Sequence, residues 1–152
     1  MEIKATIVKY CDYQERCQSE VRNKLYELGC KTLEVESLIS ELIEQGLLNE
    51  ERYARAIARG KFRIKGWGRN KIIQQLKQKR ISDYCIKAAL KEINPEEYWN
   101  TLLKTAERKL HELRTEKNPI ARRIRLQRYL LQKGFENQLI QDAMNEIINA
   151  TK

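Results

Sequence analysis

The sequence predicts an all-α protein built from three tandem three-helix units, and three observations carry that prediction. First, the 152 residues include only two prolines and six glycines against a heavy load of Leu, Ile, Lys, Glu, Arg and Gln, which lose little on entering a helix. Second, one pattern recurs: VRNKLYELGC (21–30), IIQQLKQKRI (72–81) and LQRYLLQKGF (126–135) superpose with Leu25, Leu76 and Leu130 in register. Third, each copy ends on an apolar residue after Gly29, Arg80 or Gly134, and a short amphipathic run follows. The i, i+4 apolar couples of those runs are Leu38–Leu42, Ile86–Leu90 and Ile140–Met144.

The boundaries have chemical signals. Asn49 ahead of Glu50 and Glu51 predicts a helix from 50 to about 64, with a capping amide and acids in the first turn. Ser82-Asp83 opens a short helix over 83–93. Asn94-Pro95 ends it and starts the next one, and Asn118-Pro119 repeats the device for a helix over 119–133. Gly29 and Gly134 are natural left-handed caps. The resulting division is an acidic repeat over 1–48, a strongly basic repeat over 49–94 and a basic repeat over 95–152.

Within the second repeat, Tyr53, Ile57, Gly60 and Ile64 fall on one stripe, with Arg52, Arg55, Arg59 and Arg63 on the neighbouring stripe. On the following helix Ile72, Ile73 and Leu76 face inward, and Asn70, Lys71, Gln74, Lys77 and Gln78 face outward. In the third repeat Tyr98, Trp99 and Leu102 read as seam residues, and Arg122, Arg125, Arg128 and Gln132 as an exposed face.

Charge is unevenly placed. The net +9 divides into −4 over residues 1–50, from 6 basic and 10 acidic side chains, and +13 over 51–152, from 24 and 11. Arg52 to Ser82 holds 11 Lys or Arg and no acid, and Lys117 to Lys133 holds 6 and no acid. A merely solvated surface interleaves both signs, so these windows point to contact with phosphates or an acidic protein surface. In the stretch KFRIKGWGRNK, Gly66 and Gly68 let the backbone turn at a helix start, whose N–H groups attract anions. Lys65, Arg69 and Lys71 surround it. Trp67 either stacks on an exposed base or packs on the preceding helix.

Other classes are excluded by what the chain lacks. No 18-residue apolar run is present, and the N-terminal apolar segment is too short for a signal peptide, which predicts a cytoplasmic protein. Cys11, Cys17, Cys30 and Cys85 lack metal-ligand spacing and read as reduced, packed thiols. His111 reads as a surface side chain, and the lone Gly66-Trp67-Gly68 is no dinucleotide fingerprint. A non-enzymatic protein with no cofactor and no metal is expected.

The run GLLNEERYARAIARGKFRIKGWGRNKIIQQLKQKRISDYCIKAAL (46–90) resembles the signature region of the RecX regulatory proteins, on Glu50, Glu51, Arg52, Tyr53, Ala54, Lys65, Gly66, Trp67 and Arg69. Two positions depart. Asn49 stands where an acid is frequent, and Arg80 replaces a common glycine, which weakens the case for a left-handed turn there. The resemblance implies an elongated, curved three-unit array. It also implies a modulator of the RecA recombinase that binds the RecA–single-stranded-DNA filament and restrains ATP hydrolysis, strand exchange and filament growth in DNA repair. Such a protein would be monomeric and would bind single-stranded DNA weakly and salt-dependently by itself. The expected contact face is Arg52, Arg55, Arg59, Lys61, Arg63, Lys65, Trp67, Arg69, Lys71 and Lys77, with Arg122, Arg125 and Arg128 as a second. The rival reading is a sequence-specific duplex-DNA regulator with helix-turn-helix-like modules.

Overall fold

The structure, a computed structural model, describes residues 2–150, and every regular element among them is helical. In chain order these are α1 (Glu2–Tyr13), α2 (Gln18–Glu27), α3 (Thr32–Glu44), α4 (Glu50–Arg63), α5 (Arg69–Gln78), α6 (Asp83–Leu90), α7 (Pro95–Glu112), α8 (Pro119–Gln132) and α9 (Asn137–Ala150), with a 3-10 turn at Leu113–Thr115.

The helices start where side-chain oxygens meet the first free N–H groups. Asn49 accepts from the Arg52 N–H at 2.9 Å, and Ser82 from Cys85 at 3.2 Å. Asn94 accepts from Glu96 and Glu97, and Asn118 from Ile120 and Ala121, each ahead of a proline that needs no partner. The predicted helix 83–93 ends earlier, at Leu90.

The repeated sequence pattern is a repeated turn. Cys30, Ile81 and Phe135 donate their N–H back to the carbonyls of Leu25, Leu76 and Leu130 at 3.1, 3.1 and 3.2 Å. The intervening Gly29, Arg80 and Gly134 have φ of 92°, 61° and 99°. This is the Schellman closure of a helix C-terminus. Arg80 therefore keeps the left-handed turn that its side chain disfavours, which corrects the sequence expectation. Two backbone hydrogen bonds and burial of Ile81 outweigh a steric penalty of about 1–2 kcal/mol. Leu25, Leu76 and Leu130 are fully buried, each contributing about 2 kcal/mol of apolar transfer.

Internal contacts divide the chain into two compact units, with borders inside α4, α5 and α6. The first takes the chain up to Ile57 together with Leu76–Ala89. One of its cores packs Ile7, Val21, Leu25, Val35, Ile39, Leu42 and Leu48 with the buried thiols Cys11 and Cys30. Around the start of α2, the Gln18 N–H donates to the Glu50 carboxylate at 2.9 Å and the Ser19 hydroxyl to the Lys79 carbonyl at 3.0 Å. Burial pushes the Glu50 carboxyl above its ordinary pKa, opposed by the Gln18 hydrogen bond.

The second unit takes Ala58–Gln75 and the chain from Leu90 onward. Its core holds a chain of rings in which Tyr98 lies 5.8 Å from Phe62 and 5.4 Å from Phe135, between centroids. Leu102, Ala106, Leu126, Leu130, Ile140 and Met144 complete it from α7, α8 and α9. The stripe assigned to α4 needs one correction. Tyr53, Ala54, Ala58 and Phe62 are its buried residues, whereas Ile64, just past the helix end, is 83% exposed. All four cysteines are unpaired, and no group of three His, Cys, Asp or Glu among the described residues is placed to hold a metal ion.

Candidate functional site

In the second unit the chain leaves α4 by a tight turn. Gly66, at φ 68°, donates its N–H to Phe62, and Trp67 donates back to the Lys61 carbonyl at 3.0 Å. That closure brings the half-buried Trp67 ring between two ammonium groups, Lys61 Nζ at 4.9 Å and Lys71 Nζ at 4.5 Å from the centroid. Each contact contributes about 0.5–1 kcal/mol at an exposed site and holds a lysine beside the indole.

The next residues cross the end of α8. Gly68 donates to the Lys133 carbonyl at 2.7 Å and Asn70 to the Gly134 carbonyl at 2.9 Å. The Arg69 N–H donates to the Tyr98 hydroxyl at 2.9 Å. These N–H groups at the start of α5 already have protein acceptors, so the expectation that they would attract a phosphate is corrected. Gly68 serves a backbone crossing instead.

The arginines fall into two groups. Arg69 donates Nη1 to Glu136 at 2.8 Å and lies over the Tyr98 ring at 3.9 Å, while the Tyr98 hydroxyl donates to the same carboxylate. Burial, reinforced by that hydrogen bond, pushes the Tyr98 phenol well above its ordinary pKa, so it is a neutral donor. Arg59 pairs with Glu92 at 3.2 Å. On α8, Arg122 donates Nε to the Glu116 carbonyl at 3.0 Å, and Arg125 lies 3.6 Å from the Glu116 carboxylate. Within the first unit, Arg52 meets Glu15 at 2.7 Å and the Gly46 carbonyl at 2.9 Å, and Arg55 meets Glu51 at 3.2 Å. Arg63, Lys65, Lys77 and Arg128 form the other group. They are exposed, and none of these side chains has a hydrogen bond or ion pair among the described residues.

Three cations belong beside Arg63 and Lys65 that sequence reasoning passed over. Lys104 and Arg108 of α7, with Lys133 at the end of α8, line the same cleft of about 590 Å³. Lys133 is fixed there by donating Nζ to the Lys65 carbonyl at 2.9 Å. A signal was present, because Lys104 and Arg108 are like charges four residues apart. Such a pair destabilises a bare helix by about 0.2–0.5 kcal/mol.

Comparisons with known proteins match most of the chain. The family model described as RecX, second three-helix domain, matches residues 49–90, and that described as RecX, third three-helix domain, matches 96–144. The chain is 28% identical over 141 residues to the regulatory protein RecX of Pelodictyon phaeoclathratiforme, covering 93% of this chain and 86% of that one. It is 31% identical to the RecX of Clostridium botulinum strain Eklund 17B, over 93% of this chain and 66% of the relative. A crystal structure of regulatory protein RecX superposes with a TM-score of 0.83 at 27% identity, covering 93% of this chain and 70% of that one. The RecX structure from Lactobacillus salivarius shares the fold, with a TM-score of 0.84 at 23% identity over 95% and 94% of the two chains.

Proposed function

The chain belongs to the RecX family of regulatory proteins, and from that premise we propose that it modulates the RecA recombinase by binding the RecA–single-stranded-DNA filament. It restrains ATP hydrolysis, strand exchange and filament growth without catalysis of its own, acting as a cytoplasmic monomer of three repeats, 1–48, 49–94 and 95–152. The observation that carries this reading is the selective neutralisation of charge. Arg59 and Arg69 are matched to Glu92 and Glu136, whereas Lys61, Arg63, Lys65 and Lys71 have no acidic partner among the described residues. A set of cations left without counter-charge favours an anionic partner and speeds encounter with it.

A second reading has its own support. Asn70 and Gln74 are exposed on α5, and such amides can pair with an adenine edge in a major groove. A duplex reader would prefer one sequence over others.

The test is to titrate the protein into RecA hydrolysing ATP on single-stranded DNA. The proposal expects inhibition at or below stoichiometric amounts, weakened in a folded variant neutral at Arg63 and Lys65. Undiminished hydrolysis together with tight, sequence-selective duplex binding would replace it with the second reading.

A further inference from the structure

We propose that the cleft lined by α7 and the turn after α4 is the phosphate-binding groove of this protein for a single strand of nucleic acid, with Lys104 and Arg108 as contacts in addition to Arg63 and Lys65. The inference deepens the filament reading by naming the residues that would meet the strand.

Five cations line this cleft: Arg63, Lys65, Lys104, Arg108 and Lys133. Glu97 is the one acid among its lining residues. The side chains of four of the five have no hydrogen bond or ion pair among the described residues. The fifth, Lys133, meets a carbonyl oxygen, which leaves its charge uncancelled. By contrast, Arg59 and Arg69 of the same unit are matched to Glu92 and Glu136. Like charges gathered around one opening repel each other, and an anion in the opening reverses the sign of that term.

The position is built rather than accidental. Asn100, Lys104 and Arg108 recur at four-residue intervals along one side of α7, and Thr101 adds a hydroxyl donor to the same lining. The hydrogen bond from Lys133 to the Lys65 carbonyl holds the opposite wall. Arginine's planar fork and the point charges of the lysines suit phosphodiester oxygens, and an open groove admits a strand that continues past both ends. Trp67 follows directly after the cleft residue Gly66, with its ring framed by Lys61 and Lys71. A base adjoining the bound phosphates would stack on this indole by displacing one of the two ammonium groups.

The test measures DNA binding without RecA, so that its failure differs from failure of the filament reading. The full chain and the variant Lys104→Gln/Arg108→Gln are titrated against a fluorescent oligo-dT while salt is varied. Lys9→Gln/Lys87→Gln, exposed substitutions of equal charge change, serve as the control. The cleft variant is expected to bind about five- to tenfold more weakly. Its log–log salt slope should shrink by about 0.7 for each phosphate that is no longer neutralised. The control should keep the wild-type slope. An unchanged slope in the cleft variant, or an equal loss in the control, overturns the assignment. So does absence of oligo-dT binding by the wild-type chain at low salt, even if RecA regulation persists. Inorganic tripolyphosphate at matched ionic strength forms the last arm. Complete displacement of oligo-dT by tripolyphosphate at stoichiometric amounts would assign the cleft to a free polyphosphate and overturn the strand.

Discussion

Gly68 and Gly134 touch through their backbones: a Cβ on Gly68 would lie 2.3 Å from the Gly134 carbonyl carbon, and the Gly68 N–H donates to the preceding carbonyl, Lys133, at 2.7 Å. Two segments 66 residues apart meet here with no side chain between them. Neither neighbour can yield, because the atoms a new methyl would meet are main-chain atoms. Gly68→Ala is therefore expected to destabilise the protein by about 2–3 kcal/mol, the upper range for overpacking. Gly66→Ala, where nothing but the Lys133 ammonium lies within 4 Å of the new Cβ and φ is 68°, should lose only about 1–2 kcal/mol through left-handed strain. Urea midpoints compare the two, and equal losses would refute the steric account.

Tyr98 links the start of α5 to the acid that holds Arg69. Removing its hydroxyl with Tyr98→Phe leaves the Arg69 N–H without an acceptor and takes from Glu136 one of its two donors, the Arg69 guanidinium remaining. The expected loss is about 1–3 kcal/mol, because a partly buried polar group is left unmatched. A Glu136→Gln variant combined with Tyr98→Phe should lose less than the sum of the single losses, and strict additivity would argue against a shared network.

Arg80 carries the left-handed turn that Gly29 and Gly134 carry elsewhere. Relief of strain favours Arg80→Gly by about 1–2 kcal/mol, and the greater freedom of glycine in the unfolded chain takes back about 0.4–1 kcal/mol. A net gain of up to about 1.6 kcal/mol should appear as a higher urea midpoint with unchanged slope. A loss would mean that the arginine side chain contributes more than its backbone strain subtracts.

Glu50 gives a pH dependence with a definite sign. Burial raises its folded pKa, so the folded chain keeps this proton to a higher pH than the unfolded chain does. Its contribution to stability therefore falls as pH rises from the unfolded carboxyl range, about 4.3, through the raised folded value. Glu50→Gln does not ionise, yet retains an oxygen for the Gln18 N–H. Relative to wild type it should gain stability between about pH 4 and pH 7. Parallel denaturant titrations at both values test this, and a pH-independent difference contradicts it.

Charge pairing predicts which arginines matter for binding. Arg59 faces Glu92 at 3.2 Å, so Arg59→Gln removes a base whose charge is already matched within the fold, and its stability is barely affected because exposed pairs contribute about 0–1 kcal/mol. Arg63→Gln removes a charge with no carboxylate partner among the described residues. If the cations contact phosphate directly, Arg63→Gln should reduce the salt slope of DNA binding by about 0.7, and Arg59→Gln should leave it nearer the wild-type value. Equal slopes for the two variants would point to bulk charge instead.

Local chemistry made much of the fold legible in the sequence. Helix starts at Asn49, Ser82, Asn94 and Asn118 depend on a side chain and the N–H groups two or three residues later, and both partners stand together in the chain. The triplicate register of Leu25, Leu76 and Leu130 was readable because each leucine closes its own turn and is fully buried beside it. The basic windows were countable for the same reason, since composition requires no neighbours.

Tertiary structure alone decided which of those charges remain open. Glu136 lies 67 residues from Arg69, Glu92 lies 33 from Arg59 and Glu15 lies 37 from Arg52, distances at which no helical period applies. The same holds for Gly68, read locally as a flexible turn and found to make room for the backbone at Gly134. Lys104 and Arg108 come to line one cleft with Arg63 and Lys65 by long-range packing. Sequence periodicity reaches about one helical turn, whereas the burial, pairing and repulsion that define a binding surface depend on which distant segments pack together.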